Sequence, residues 1–189
     1  MTDTKDKLDE AKYFLQQMNL TNRDKNAFRY TLSAFLSALC SVLEIMNNEF
    51  QKVPGFISWN KAMRDEYHSN KLIQFFEKQR NKSVHVRPVS TRAHQNRMNI
   101  PEIDLTKLAS FSLVAKIDDD GIMNNPVLTR LTYEGELTVE EVTATSLWFF
   151  NDLPSENNPD NKDVVSLCEE QLVELEAIVA ECEQKFAIP

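Results

Sequence analysis

Apolar residues in the first part of the chain recur at the spacing of amphipathic helices. Leu8, Ala11, Leu15 and Met18 predict a helix over residues 3–19. A second apolar stripe continues without Gly or Pro and predicts the longest helix of the fold. Its members are Phe28, Leu32, Phe35, Leu36, Leu39, Leu43, Met46 and Phe50.

Polar residues at capping positions mark where the helices begin. Thr21 or Asn22 has a side chain suited to cap the second helix. A Pro-Gly pair then breaks the chain and is followed by a short predicted helix over residues 56–67. Ser69 or Asn70 can cap a fourth helix that runs through the basic residues at its end. The core face of this fourth helix is formed by Leu72, Ile73, Phe75 and Phe76.

The pattern changes after the fourth helix. Residues 88–101 carry no helical stripe and predict an extended, polar and basic loop, the best candidate for a mobile segment. Three stretches rich in Val, Thr, Leu and aromatic residues predict a small antiparallel sheet. They are residues 108–117, 127–133 and 139–150. The last of them also fits a helix start, because two glutamates follow a threonine and a valine there.

A polar loop over residues 151–163 leads into a last predicted helix over residues 164–186. Its apolar face is formed by Val165, Cys168, Leu172, Leu175, Ile178, Val179 and Cys182. Nothing close in sequence can cover this face, and apolar surface left in water forfeits about 25 cal/mol per Å². The last helix should therefore pack against the first four.

The predicted fold class is mainly α. We expect one domain over residues 1–189. Its core would be an antiparallel helical bundle built from residues 3–87 and 164–187, and residues 88–163 would form the basic loop and a β-rich insertion.

The composition narrows the functional class. Hydrophobic residues make up 42% of the 189 residues and charged residues 26%, which is ordinary for a globular protein. With only 3 Gly, the glycine-rich phosphate loops of Rossmann and P-loop enzymes are nearly excluded. No apolar run approaches the roughly 18 residues of a membrane span, and the start does not have the pattern of a signal peptide. We therefore expect a cytoplasmic protein with no membrane partner.

Metal, cofactor and disulfide chemistry find no support in the sequence. The three cysteines lie in apolar stretches and predict small core residues: Cys40, Cys168 and Cys182. Because there is no CxxC and no HExxH, we expect neither a metal nor another cofactor. The acidic run at 118–120 precedes a glycine and favours a solvated turn. Three aromatic residues that could stack on bases are expected in the core instead: Trp59, Trp148 and Phe149.

Positive charge is concentrated in one segment of an acidic chain. The net charge is −8, yet residues 78–101 hold six cations and no acid, which leaves −14 on the rest. The cations are Lys78, Arg80, Lys82, Arg87, Arg92 and Arg97. Two interpretations stay open, a solvated basic helix end and loop or a local site for an anion.

The end of the predicted fourth helix carries an arginine and a histidine separated by four residues, Arg80 and His85. Asn81 and His85 share a helix face, whereas Arg80 is rotated by roughly 140° from His85 but has a long side chain. An arginine fork suits phosphate oxygens, and histidine can move a proton near neutral pH. Such a set can perform phosphodiester chemistry without a metal. The structural alternative is a helix-terminal His85, with Arg80 paired to Glu77.

Several segments of the chain resemble the HEPN superfamily, whose motif is an arginine, four to six residues and a histidine, often with Asn directly after the arginine. The motif here is RNKSVH after Phe75 and Phe76. The other segments that carry the resemblance are LDEAKYFLQQM, FRYTLSAFLSALCSVLEIM, the segment around Trp59, KLIQFFEKQRNKSVH and SLCEEQLVELEAIVAEC. Some toxin members have a tyrosine two residues after the histidine, and here that position is Arg87.

The resemblance implies a helical bundle that forms a two-fold homodimer with both motifs in one cleft. In many members this cleft is a metal-independent endoribonuclease site, and many are toxins or phage-defence effectors. Carried over to this chain, Arg80 and His85 are catalytic and Asn81 positions them. Other members are inactive RNA-binding or interaction modules.

Two functions follow as hypotheses. The first is a ribonuclease in which the RNA 2′-hydroxyl attacks the adjacent phosphate, with His85 as base or acid and Arg80 stabilising the developing charge. RNA contacts are then expected from the basic segment: Lys78, Lys82, Arg87, Arg92 and Arg97. The second is a catalytically silent module that binds RNA or protein, with an antitoxin-like or regulatory protein as its partner.

Overall fold

The computed structural model describes residues 2–98, 108–117, 123–133 and 144–186, and it describes side chains outside residues 94–145. The described part is mainly helical, which confirms the predicted fold class at that level. Its helices are α1 (Asp3–Leu20), α2 (Lys25–Phe50), α3 (Phe56–Tyr67), α4 (Lys71–His85) and α5 (Val164–Lys185). Its strands are β1 (Thr91–Met98), β2 (Leu108–Ile117), β3 (Met123–Tyr133) and β4 (Ala144–Phe150). A 3₁₀ turn covers Ser155–Asn157.

Side-chain caps fix where the long helices begin. Asp24, and not Thr21 or Asn22, caps α2, because its carboxylate accepts hydrogen bonds from the backbone amides of Asn26 and Ala27. Thr21 instead closes α1, where both its amide and its hydroxyl donate to the carbonyl of Gln17. Of the two candidates for α4, Asn70 is the cap.

The apolar stripes of all five helices meet in one core. α1 lies along α2 and also contacts α5, and α4 packs on α2. The prediction that α5 packs against the N-terminal helices is confirmed, and a Lys12–Glu176 ion pair of 2.9 Å joins α1 to α5 at the surface. Cys168 and Cys182 are buried in this core as predicted. All three cysteine thiols are free.

One helix of the described part, α2, is long and apolar enough to cross a membrane, although the sequence analysis expected no such segment. Ten of its side chains are buried in the bundle. Its apolar character therefore has an evident structural use, because α2 is the central helix against which α1 and α4 pack.

The segment after α4 differs from its prediction. Most of residues 88–101 was expected to be a loop, but Thr91–Met98 forms β1 and pairs antiparallel with β4, from Thr91 opposite Phe150 to Met98 opposite Ala144. The physical reason is alternation within the strand: Thr91 is buried, Arg92 is exposed and Ala93 packs against the core. The partner strand lies some fifty residues further along the chain, so no local pattern reveals the pairing.

The predicted strands are found, but they do not form one sheet. β1 pairs with β4, while β2 and β3 form a separate antiparallel pair. β3 begins earlier than predicted, at Met123. The ambiguous stretch ends as strand β4 over Ala144–Phe150, where the alternative of a helix is wrong. Trp148 in β4 is buried, as predicted.

Candidate functional site

The motif lies on the last turns of α4, which are held by the core at one side and open to solvent at the other. Asn70 caps the helix, and Leu72, Ile73, Phe75 and Phe76 form its buried stripe. Val86 ends the helix, and Pro88 follows two residues later with no amide to continue it. The motif residues therefore have a rigid support and an exposed side.

Arg80, Asn81 and His85 are arranged around this helix end. The Arg80 guanidinium donates a 2.8 Å hydrogen bond from Nη1 to Oδ1 of Asn81. Because Asn81 and His85 lie four residues apart, this bond draws the guanidinium toward the face that His85 shares. His85 is exposed, and among the described residues no hydrogen bond joins it to Arg80. The end of α4 thus carries an arginine and a histidine that no hydrogen bond joins.

The alternative partner of Arg80, Glu77, is engaged elsewhere. Its Oε1 lies 3.0 Å from Nδ1 of His68, the residue that ends α3. Arg80 still acts on the nearby Cys40, whose pKa is raised to about 12 because burial and the charge of Glu77 outweigh the opposing effect of Arg80. Within the described part of the chain the guanidinium is therefore oriented by the Asn81 amide and not by an ion pair with Glu77.

Lys82, one of the predicted RNA contacts, is paired with a carboxylate. Its Nζ lies 2.7 Å from Oδ2 of Asp152, just after β4, and the buried Gln79 donates to Oδ1 of the same residue at 2.9 Å. Burial acts to raise the pKa of Asp152, but the hydrogen bonds from Lys82 and Gln79 outweigh it and the pKa is lowered. This pair fastens the end of α4 to the end of β4. Lys82 can reach RNA only if the pair opens.

Next to the motif the surface opens into a groove of about 630 Å³. We call it the basic groove. It is lined by Lys25, Arg29, Arg87, Pro88, Val89, Ser90, Thr91, Arg92, Ala93 and Asn151. Four of these residues are cations and none is an acid. Arg80, Asn81 and His85 do not line the basic groove, although Arg87 follows His85 by only two residues.

The wall of the basic groove formed by the segment after α4 is held by the core and by β4. Val89 and Thr91 are buried. Asn151 donates from its amide to the Ser90 carbonyl at 3.1 Å and from Nδ2 to the Ser90 hydroxyl at 2.7 Å. Arg92 is exposed and stands opposite Phe149 in the β1–β4 pair. This wall is therefore a hydrogen-bonded surface and not a loose loop.

The facing wall is the first two turns of α2. Lys25 and Arg29 are four residues apart, so they share one helix face. Between them in sequence, Phe28 is fully buried and stacks on Trp148 of β4, and Nε1 of Trp148 donates a 2.7 Å bond to the carbonyl of Asn22. These contacts bring the cations of α2 to β1.

The two cations of α2 were missed by the sequence analysis. A local signal exists, because Arg23, Lys25 and Arg29 form a small basic group. Its relation to Arg87 and Arg92 depends on the pairing of Phe28 with Trp148, which lie 120 residues apart.

The two remaining predicted RNA contacts, Lys78 and Arg97, are not among the described residues that line the basic groove. Lys78 is exposed on α4 and does not line the basic groove. Arg97 belongs to β1, but its side chain lies outside the described residues. The acidic run at 118–120 also lies outside them. Where side chains are described, no three His, Cys, Asp or Glu residues are grouped to hold a metal ion.

Comparisons of the chain with protein-family models, with curated proteins and with solved structures find no match.

Proposed function

We propose that the protein is a metal-independent endoribonuclease of HEPN type, with Arg80 and His85 as catalytic residues and Asn81 as the residue that positions Arg80. The observation that carries the proposal is the exposed Arg80–Asn81 hydrogen bond on the helix face of His85. This bond favours a surface that has both an anion-binding group, Arg80, and a proton-transferring group, His85. The chain leads from this surface to the basic groove, which four cations line.

The reaction needs only these side chains and the RNA itself. The 2′-oxygen attacks the adjacent phosphorus, its proton passes to a base, and the bond from phosphorus to the 5′-oxygen breaks as that oxygen takes a proton from an acid. The products are a 2′,3′-cyclic phosphate and a 5′-hydroxyl. Arg80 stabilises the charge that develops on the phosphate oxygens, and histidine serves as base or acid.

A two-fold homodimer completes this chemistry, because one motif has a single histidine while the reaction uses both a base and an acid. An isologous interface at the end of α4 would bring a second His85 into the cleft. Val84 and Val86, the neighbours of His85, are 56% and 77% exposed. Apolar side chains left in water beside the motif favour its burial against a second copy.

The biological setting follows from the superfamily resemblance. We place the protein in the cytoplasm as a toxin or phage-defence effector, with an antitoxin-like or regulatory protein controlling it. The acidic chain outside residues 78–101 is compatible with activity confined to one basic surface.

A second candidate function is a catalytically silent RNA-binding module. The specific observation in its favour is that the motif and the basic groove do not share residues, so the groove can bind RNA without the motif. In that case the charge of Arg80 would serve only for binding.

Cleavage of a single-stranded RNA in excess EDTA tests the proposal. The wild type should cleave, while Arg80→Ala and His85→Ala should each lose about 10²- to 10⁴-fold of the rate and keep the far-ultraviolet circular dichroism spectrum. Lys61→Ala is the control, because Lys61 is exposed on α3 and belongs neither to the motif nor to the lining of the basic groove, and it should retain activity. Unchanged cleavage in both motif variants would overturn the site. A wild type that binds RNA but never cleaves it would establish the silent module.

A further inference from the structure

The basic groove brings together positive charge from two parts of the sequence. Arg87 and Arg92 come from the segment around the start of β1, and Lys25 and Arg29 come from the first turns of α2. The backbone amides at a helix N-terminus form a positive end, where cations are unfavourable and anions are favoured. α2 begins with a lysine, and the carboxylate of its cap, Asp24, accepts hydrogen bonds from the backbone amides of Asn26 and Ala27. This helix end therefore has its own acidic cap, and an anionic ligand is indicated by the cations that line the groove.

We propose that the basic groove binds the phosphate backbone of single-stranded RNA, and that Lys25 and Arg29 contact phosphates from one wall while Arg87 and Arg92 contact them from the other. The proposal rests on the proposed function only for the identity of the ligand. It adds a binding site on α2 that separates holding the RNA from cutting it.

Charge is the first argument for a polyanionic ligand. Among the described residues that line the groove, four are cations and none is an acid, in a protein whose net charge is −8. A polyanion can contact several of these cations at once, and counterions released from the RNA then drive binding. A ligand with a single negative charge would contact fewer of them.

Size and shape favour a single strand over a duplex. A volume of about 630 Å³ lies within the range of small-molecule sites and holds a few nucleotides, but not a turn of double helix. Single strands are also the form in which RNA sugars and phosphates can bend into a groove of this size.

The groove is preformed, which lowers the entropy cost of binding. Ser90 and Asn151 are joined by two hydrogen bonds on one wall. The stack of Phe28 on Trp148 fixes the other wall to β4, the strand that pairs with β1. Both walls are therefore anchored to the same strand pair.

The position of the groove gives it a role relative to the motif. Arg87 lies two residues after His85, where α4 has ended and the chain turns toward β1. A strand held by Arg87 can continue toward the exposed face of Asn81 and His85. The groove would thus hold nucleotides that flank the scissile bond, without contact to the bond itself.

Binding of a fluorescein-labelled 2′-O-methyl RNA oligonucleotide, followed by anisotropy over a series of salt concentrations, tests this site. The 2′-O-methyl group prevents the cleavage described above, so binding is measured apart from catalysis. The test variant is Lys25→Gln with Arg29→Gln, which removes both charges and keeps much of each side-chain stem. The matched control is Lys52→Gln with Lys61→Gln, two exposed lysines at or beyond the opposite end of α2, a helix of 26 residues and about 39 Å.

The test variant should bind more weakly, and the slope of log K against log salt should decrease in magnitude by about 1.4, because about 0.7 counterions are released per single-strand phosphate contact. Equivalently, the ratio of its affinities at about 50 and 200 mM salt should be about sevenfold smaller than that of the wild type. The control pair should keep the wild-type slope. Lys25→Arg with Arg29→Lys should restore the slope, which separates loss of charge from loss of folding.

Wild-type affinity and slope in the test variant would overturn the proposal, as would equal losses in the test and control pairs. Equal or tighter binding of a duplex of the same sequence would show that the groove does not select single strands. Binding of polyglutamate but not RNA, with the same dependence on Lys25 and Arg29, would assign the groove to an acidic protein segment instead. These binding outcomes are independent of the cleavage test. If the Arg80 and His85 variants cleave like the wild type, the catalytic site is wrong, but the binding measurement still decides whether the basic groove holds RNA.

Discussion

The indole ring of Trp148 stacks on the ring of Phe28, with centroids 5.0 Å apart and planes inclined by 17°. This pair joins β4 to α2, and the hydrogen bond from Trp148 Nε1 to the Asn22 carbonyl adds a second link at the start of the helix. Because Phe28 lies between Lys25 and Arg29 in sequence, the stack also determines where the α2 cations stand relative to β1. A core contact therefore shapes the basic groove.

Trp148→Ala should lower the free energy of unfolding by about 3–5 kcal/mol, because it removes a fully packed ring and leaves a cavity beside Phe28. Trp148→Phe keeps a ring but leaves the Asn22 carbonyl without its donor, so its cost should be smaller, about 1–3 kcal/mol. Urea unfolding of the two variants measures both values. Equal stability of Trp148→Ala and the wild type would contradict the described packing.

Light scattering during gel filtration should give a mass twice the 21.8 kDa of the chain at micromolar concentration. The double variant Val84→Asp with Val86→Asp should reduce the mass to that of one chain, because it places two charges on the proposed interface. Val173→Asp is the control, since Val173 is 64% exposed on α5 and away from the motif. A monomeric wild type would exclude the dimer cleft.

The ion pair of Asp152 predicts a pH dependence of stability. Burial raises the pKa of this carboxyl, but bonds from Lys82 and Gln79 outweigh burial and bring the folded-state pKa below the ordinary 3.8. The contribution is therefore fully present above that ordinary value and is lost as the pH falls through the lower folded-state pKa. Because solvent screens the pair, it should be worth no more than about 1 kcal/mol.

Asp152→Asn should therefore be less stable than the wild type near neutral pH, and the difference should shrink as the solution is acidified below the ordinary carboxyl pKa. Urea unfolding over a pH series measures this. Asp65→Asn, at an exposed carboxylate on α3, should match the wild type throughout. A difference between Asp152→Asn and the wild type that stays constant into acid would contradict the pairing.

Helical periodicity was sufficient to predict the bundle. The stripe from Phe28 to Phe50 and the short helix Phe56–Tyr67 appear where the sequence placed them, because each buries a continuous apolar face whose spacing is local. The cap of α2 was misplaced, since Thr21 and Asn22 have suitable side chains but Asp24 is the residue at the helix start. Identity alone does not distinguish adjacent capping candidates.

Pairing between distant segments could not be predicted. Thr91–Met98 looked like a loop because its partner, Ala144–Phe150, is remote in sequence and its inward positions include a polar Thr91. The positive charge of Arg87 and Arg92 was evident from the sequence. Their position opposite Lys25 and Arg29 was not, because it depends on the same long-range pairing. The charges of a site can be read locally, whereas their convergence depends on long-range packing.

Mass spectrometry of the products from a defined single-stranded RNA, incubated in excess EDTA, tests the central claim most directly. The account predicts fragments that end in a 2′,3′-cyclic phosphate and begin with a 5′-hydroxyl. These fragments should form at least about 100-fold more slowly with His85→Ala, and they should be absent when the nucleotide before the cleavage site carries a 2′-deoxy sugar. Fragments with a 3′-hydroxyl and a 5′-phosphate, or cyclic-phosphate products that His85→Ala forms at the wild-type rate, would contradict catalysis by this motif.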